Sequence, residues 1–260
     1  MREKPKDIKK IVKEGYARIA KQGASCCSSN SCCSSSSKAR DVSKAVGYGD
    51  DEMDVVPDGA NLGLGCGNPV AIASLKEGNV VLDLGSGAGF DAFLAANKVG
   101  KTGRVIGVDM TDEMLDKART NAKKGGYDNV EFRLGEIEKL PIEDSVIDVI
   151  ISNCVINLSP DKEDVFKEAF RVLKPGGRLM VSDLVLEKEL SKEIKESVEA
   201  YLGCLAGAVK KDKYLHLIDA AGFKDIKVIS EPDYSVNDSF DNFEAVKDAI
   251  VSIKISAIKK

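Results

Sequence analysis

The stretch Val80-Val81-Leu82-Asp83-Leu84-Gly85-Ser86-Gly87-Ala88-Gly89-Phe90-Asp91 decides the fold. It reads as a buried strand that feeds a glycine-rich turn and then a helix. That order places the glycines at the carboxyl end of a central strand, where open α/β sheets bind their ligands.

Outward from this point the sequence alternates in the manner of parallel βαβ units. The pattern predicts strands over 79–84, 104–108, 130–134, 146–152 and 178–182, with helices over 91–99, 112–124 and 162–173 between them. Further helices are expected over 188–202 and 212–221, and strands over 226–230 and 251–257. The sum is an α/β fold: a doubly wound, Rossmann-like, seven-stranded and mostly parallel sheet with helices on both faces. Its last two strands are expected to pair antiparallel at the edge.

Before the sheet, residues 7–21 have the apolar spacing of an amphipathic helix. The tract Ala24-Ser25-Cys26-Cys27-Ser28-Ser29-Asn30-Ser31-Cys32-Cys33 and the serines after it are too polar to organise a core, and read as a mobile arm. Leu62-Gly63-Leu64-Gly65-Cys66-Gly67-Asn68-Pro69 reads as a tightly turned loop whose backbone can approach a ligand. The division is an N-terminal helix and cysteine-bearing arm (1–49), a ligand-binding core (50–186), and substrate-side helices with edge strands of the same domain (187–260).

The chain has 260 residues and a net charge of −4, with lysines and glutamates interleaved, so it offers no footprint for nucleic acid. No apolar run approaches the length of a membrane span, and the charged start lacks a signal-peptide core, so a cytoplasmic location and no membrane partner are expected. Seven cysteines in such a chain suggest reduced thiols kept for chemistry or ligation rather than a disulfide framework. Monomer is the default state.

The glycine spacing is G-x-G-x-G rather than the G-x-G-x-x-G of dinucleotide sites, a form that suits an adenosyl group without a pyrophosphate. Asp109, at the end of the second strand, is placed to accept hydrogen bonds from two vicinal ribose hydroxyls. Asp83, the loop itself, Gly135-Glu136-Ile137-Glu138 after the third strand and Lys174-Pro175-Gly176-Gly177 before the fifth resemble the class I S-adenosylmethionine methyltransferases. The resemblance implies Asp83 at the methionine amino group and Gly85, Ser86, Gly87 and Gly89 under the methionine and ribose. It implies Asp109 at the ribose, and Glu136 and Ile137 at the adenine. Met110, Gly135 and Asn153 join this expected S-adenosylmethionine set.

Three more cysteines fall where such a fold would bring them to one crevice: Cys66 in the glycine loop, Cys154 just past the fourth strand and Cys204 in Tyr201-Leu202-Gly203-Cys204-Leu205-Ala206-Gly207-Ala208. Leu64-Gly65-Cys66-Gly67-Asn68-Pro69, Ser152-Asn153-Cys154-Val155-Ile156-Asn157-Leu158 and Cys204-Leu205-Ala206-Gly207-Ala208, with the paired cysteines of the arm, resemble arsenite methyltransferases over residues 10–223. The resemblance implies Cys66, Cys154 and Cys204 as ligands of arsenic(III), with arsenite and methylarsenite or their thiol conjugates as substrates. It also implies disulfide formation that returns oxidised arsenic to the trivalent state, with thioredoxin or glutathione as reductant.

Soft thiolates suit a thiophilic centre, and three of them leave arsenic(III) its lone pair for attack on a methyl group. Binding requires deprotonated thiols, and a sulfonium in the crevice would favour thiolate at Cys154. The only histidine, His216, sits in a predicted helix and is read as structural or solvated. Cys33 is the preferred fourth thiol, while Cys26, Cys27, Cys32 and Cys33 together read as a relay, a capturing tether or a plain tail. Longer members of the family carry a further carboxyl-terminal domain, and functions residing there are not expected here. A methyltransferase of quinone-like acceptors, and a thiol-based metalloid- or zinc-binding protein on the same scaffold, stand as rival readings.

Overall fold

The computed structural model describes residues 5–22, 35–231, 246 and 249–260. Its sheet contains β1 (Val80–Leu84), β2 (Arg104–Asp109), β3 (Val130–Leu134), β4 (Ile147–Asn153), β5 (Leu173–Leu186), β6 (Lys224–Ser230) and β7 (Ile250–Ile258), in the order β3-β2-β1-β4-β5-β7-β6. Strands β1 to β5 pair in parallel, whereas β7 runs antiparallel to β5 on one side and β6 on the other. The expected antiparallel pair is present, with β6 outermost.

The apolar run of β1 is explained by burial on both faces. Leu82 and Leu84 enter a core with Ile106, Ile150, Phe166 and Tyr214, while Val81 enters the opposite core with Phe93, Val105, Val149 and Met180. Alternation along the strand divides the two sets. One face is covered by α5 (Phe90–Val99) and α6 (Asp112–Gly125), the other by α7 (Lys162–Val172) and α10 (Lys211–Ala220).

Three segments depart from the sequence expectation. Residues 188–202 form two short helices, α8 (Lys192–Lys195) and α9 (Val198–Leu202), because Ser191 and Ser197 each accept a backbone N–H at the start of a new helix. The serines that close the expected arm instead open a helix, α2 (Ser35–Ala45), anchored by buried Ala39; the arm cysteines 26, 27, 32 and 33 lie outside the described residues. The fifth strand begins at Leu173 rather than 178, and Lys174-Pro175-Gly176-Gly177 bulges from it, since Leu173 pairs with Ile147 and Arg178 with Val149.

Helix α1 (Pro5–Gln22) lies across α6 and α9 at the carboxyl end of the sheet. Val12 is fully buried there, Tyr16 donates to the Leu202 carbonyl at 3.1 Å, and Lys13 and Lys21 pair with Asp112 and Glu113. Short helices α3 (Asp50–Asp54) and α4 (Pro69–Ile72) bracket the Cys66 loop. Among the described residues no helix is long and apolar enough to cross a membrane.

Because β7 is an interior strand, its apolar residues carry more stability than those of β6. Ile255 is fully buried opposite Val181, whereas Ile229 is 47% exposed. Ile255→Ala is expected to cost about 2–5 kcal/mol in urea unfolding, and Ile229→Ala to stay within about 0.5 kcal/mol. Equal losses would mean that β7 is not the interior strand.

Candidate active site

Two strand ends meet at the point where the strand order reverses. Leu84 pairs with Ser152, so Gly85 and the Asn153-Cys154 step leave the sheet side by side. A Cβ on Gly85 would lie 2.3 Å from a Val155 methyl, which requires glycine there; Gly85, Gly87 and Gly89 all have positive φ. A Cβ on Gly87, by contrast, would meet nothing within 4 Å, because that residue borders an open cleft.

The cleft is lined by Asp83, Ser86 and Asp109 at the glycine loop and by Asn61 to Gly65. Met110, Gly135, Ile137 and Glu138 line it as well, as do Val12 and Tyr16 of α1. Asp109 accepts backbone N–H groups from Gly87 at 3.0 Å and Thr111 at 2.8 Å, which fixes its carboxylate at the cleft wall. The Asp83 Oδ2, Ser86 Oγ and Asn61 Nδ2 atoms are buried without a partner. Unpaired buried polar atoms are costly, so their convergence on one cleft marks the place of a polar ligand.

Three carboxyls raised by burial around one cleft suit a ligand that carries positive charge. Burial, followed by the nearby Asp91 and Asp109, holds the Asp83 carboxyl well above the usual carboxylate range. Burial also pushes Asp91 up to about 6, although hydrogen bonds from Tyr48 and Asn153 oppose it, and raises Asp109. S-adenosylmethionine, with an ammonium, a sulfonium and ribose hydroxyls, matches this donor set.

Asn153 joins the cleft to the cysteines. Its Nδ2 faces Asp91 Oδ2 at 2.9 Å, Gly67 O at 2.8 Å and Tyr48 OH at 2.8 Å, and its Oδ1 accepts the Cys66 N–H at 3.0 Å. Two amide protons serve three acceptors, and Tyr48 donates to Asp91 Oδ1 at 2.6 Å, which leaves its own oxygen free to accept. Gly65 has no Cβ because one would fall 2.5 Å from the Asn153 nitrogen.

Cys66, Cys154 and Cys204 are all free and buried, and share an apolar cluster with Val12, Leu158, Leu184 and Leu205. The Cys154 Sγ lies within 4.8 Å of the Cys66 Sγ, and the Cys154 backbone receives the Cys204 thiol, so Cys154 is the residue that both others adjoin. Cys204 Sγ also donates to the Cys154 carbonyl at 2.6 Å, and Cys66 Sγ to the Ser182 carbonyl at 3.6 Å. Both Cys154 (φ 58°) and Cys204 (φ 63°) hold left-handed backbone that non-glycine residues seldom adopt. Such strain at two adjoining thiols is characteristic of functional positions.

In the protein alone the three thiols are held toward the protonated form, and the thiolate expected at Cys154 is the form that a sulfonium's charge would favour. Burial is the main cause for Cys66, pushed up to about 11, and for Cys154, higher still; for Cys204 the bond to Cys154 comes first and burial second. Asp183 adds to all three shifts. It is fully buried beside them, accepting from Asn157 Nδ2, Tyr214 OH and the Leu184 N–H, each at 2.9 Å.

Of the residues expected from the sequence, Asp83, Gly85, Ser86, Gly87, Asp109, Met110, Gly135, Ile137, Asn153 and Cys154 line the cleft. Cys66 and Cys204 sit behind Cys154. Gly89 lies one turn below, packed on Phe93 and Phe132. Glu136 is not on the cleft wall: its half-exposed carboxylate pairs with Lys9 at 2.7 Å, and Glu138, bonded to Ser159, faces inward instead. Cys33 lies outside the described residues. His216 is exposed on α10. Sequence reading missed Tyr48, Asp91 and Asp183; for Asp183, a single carboxylate inside the run Leu179 to Leu186 was the available signal.

Comparison with known proteins agrees with this geometry. The methyltransferase domain family matches residues 75–222. The chain is 46% identical over 231 residues to the arsenite methyltransferase of Halobacterium salinarum, covering 86% of this chain and 59% of that protein. It is 36% identical over 226 residues to the human arsenite methyltransferase, covering 84% and 58%. The chain thus spans less than two thirds of the length of these relatives. Among solved structures, the arsenic(III) S-adenosylmethionine methyltransferase of Chlamydomonas reinhardtii superposes with a TM-score of 0.67 at 35% identity, over 85% of this chain and 73% of that one. By sequence, fold and cofactor cleft, the chain belongs to the methyltransferase domain family and, within it, to the arsenic(III) S-adenosylmethionine methyltransferases.

Proposed function

We propose that this chain transfers a methyl group from S-adenosylmethionine to trivalent arsenic held by Cys66, Cys154 and Cys204. One observation carries the reading: Cys154 both lines the cofactor cleft and adjoins the other two cysteines, its Sγ within 4.8 Å of that of Cys66 and its carbonyl accepting the Cys204 thiol, so acceptor and donor sites share a wall. A quinone-like acceptor would not call for three converging buried thiols, and a protein that only sequestered arsenic would not call for the glycine-lined cleft.

Loading is chemically balanced with protonated thiols. Arsenous acid carries three hydroxyls, three thiol protons convert them to water, and three As–S bonds form without net charge. A neutral product suits a buried pocket far better than three thiolates would. Cys66, Cys154 and Cys204 then hold the arsenic with its lone pair unshared, and α1 with the Leu62–Gly65 segment shields the cleft from water. S-adenosylmethionine supplies an electrophilic methyl on a sulfonium. No proton leaves the nucleophile, so no general base is required, and exposed His216 has no part. Methylation raises the arsenic by two oxidation levels. Oxidation of a cysteine pair to a disulfide returns those electrons, and thioredoxin or glutathione restores the pair. The arm cysteines, Cys33 first among them, are suited to that relay, which belongs in a reducing compartment such as the cytoplasm.

Cys154→Ser should abolish methylarsenic formation while S-adenosylmethionine affinity stays within about threefold; full activity in that variant would remove Cys154 from the site. The cofactor's affinity should also depend on acid. A cation favours ionised Asp91, whose carboxyl sits at about 6 without it, so binding below that pH must expel a proton. Calorimetry from pH 8 to 5 should therefore show affinity that falls as the pH drops, by up to about tenfold per unit below 6. Affinity that is level down to pH 5 would exclude Asp91 from the charge balance.

A further inference from the structure

Asp183 has no task in the arsenic chemistry above, yet it is placed with the thiols. One ligand atom of each of Cys66, Cys154 and Asp183 lies within 4.8 Å of the others, and all three residues are buried. Cys204 lies outside this group but adjoins it, its Sγ donating to the Cys154 carbonyl at 2.6 Å.

The carboxylate is costly where it stands. A buried charge is ordinarily paired with a cation or bound to a metal, but the groups that bond Asp183 are the neutral donors Asn157, Tyr214 and the Leu184 N–H. The buried cation Lys162 lowers the Asp183 carboxyl by Coulombic attraction but does not bond it, giving its Nζ instead to the carbonyls of Ser159 at 3.0 Å and Asn157 at 3.4 Å. For arsenic(III), three sulfurs complete a pyramidal set and the fourth direction belongs to the lone pair, so an oxygen ligand is superfluous. A closed-shell divalent cation differs, since zinc takes four donors at tetrahedral corners and accepts sulfur with carboxylate.

The geometry is near to such a site. Metal–sulfur bonds of about 2.3 Å place tetrahedral donor atoms about 3.8 Å apart, so the edges among Cys66, Cys154 and Asp183 need to contract by about 1 Å or less, and the Cys204 thiol must turn from the Cys154 carbonyl to become the fourth ligand. The three hydrogen bonds to Asp183 orient its carboxylate, as supporting bonds do for metal ligands.

We propose that Cys66, Cys154, Cys204 and Asp183 form a closed three-sulfur, one-oxygen site for a divalent thiophilic cation, zinc or cadmium, which excludes arsenic by taking the same thiols. Each bound thiol gives its proton to the buffer, and no electron moves. The thiols are shared with the arsenic reading, but the fourth ligand and the ion are not.

The test uses the full chain with Cys26, Cys27, Cys32 and Cys33 changed to serine, stripped of metal and kept reduced with a phosphine. Titration with Cd2+ should give one sulfur-to-cadmium absorption band per chain, and arsenite should displace it competitively. In that background Asp183→Asn should weaken Cd2+ at least tenfold and leave arsenite affinity within threefold. Cadmium-113 NMR of the unsubstituted Asp183 protein should report three sulfur donors and oxygen, a readout that does not depend on the variant's folding. Unchanged Cd2+ affinity in Asp183→Asn, a shift without oxygen, or Cd2+ binding that survives Cys66→Ser and Cys154→Ser would overturn the proposal. Arsenite that fails to bind while Cd2+ binds with Asp183 would instead sink the arsenic reading and leave this one standing.

Discussion

The site depends on one side chain, the amide of Asn153. It stands at the last position of β4 and binds in two directions, toward Tyr48 and Asp91 on the cofactor side and toward Cys66 and Gly67 on the thiol side. A half-buried amide with all its groups bonded is held in place, because breaking one bond leaves a polar atom without a partner. The Cys66 loop, far from β4 in sequence, is thereby held against the strand end that carries Cys154. The cleft and the thiol cluster are consequently registered by the sheet itself, through the pairing of Leu84 with Ser152 and of Asn153 with Ser182.

Charge is distributed around this joint in a way that the free protein tolerates poorly. Asp83 and Asp91 are buried on the cofactor side, Asp183 is buried on the thiol side, and each is raised by desolvation. Such groups lower stability in exchange for a pocket that favours cations, a common trade at functional sites. The left-handed backbone at Cys154 and Cys204 adds strain of the same kind. The interior pairing of β7 and the two cores on either side of the sheet supply the compensating burial.

Much of this was legible in the sequence because the physics was local. The run from Val80 to Asp91 declares a doubly buried strand, and its glycines declare a turn that side chains could not make. Asp109 at the end of the next strand follows from the same logic. What was not legible depends on register and on distant caps. Spacing suggested that Cys66, Cys154 and Cys204 share a crevice, but their contact order, with Cys154 in the middle, comes from strand pairing. The split of 188–202 turns on two serine caps that compete with a continuous apolar pattern. Glu136 and Glu138 are both acidic and both pair with Lys9, and only the bond from Ser159 to Glu138 distinguishes the one that faces the cleft. The protonated thiols likewise follow from burial, which spacing does not reveal.

The central claim is that three thiols hold arsenic at the shared wall. Arsenic K-edge absorption tests it directly on protein whose four arm cysteines are changed to serine, loaded with one equivalent of arsenite. The account predicts three sulfur neighbours and no oxygen in the first coordination sphere. Arsenic that keeps an oxygen neighbour, or binds fewer than three sulfurs, would contradict it.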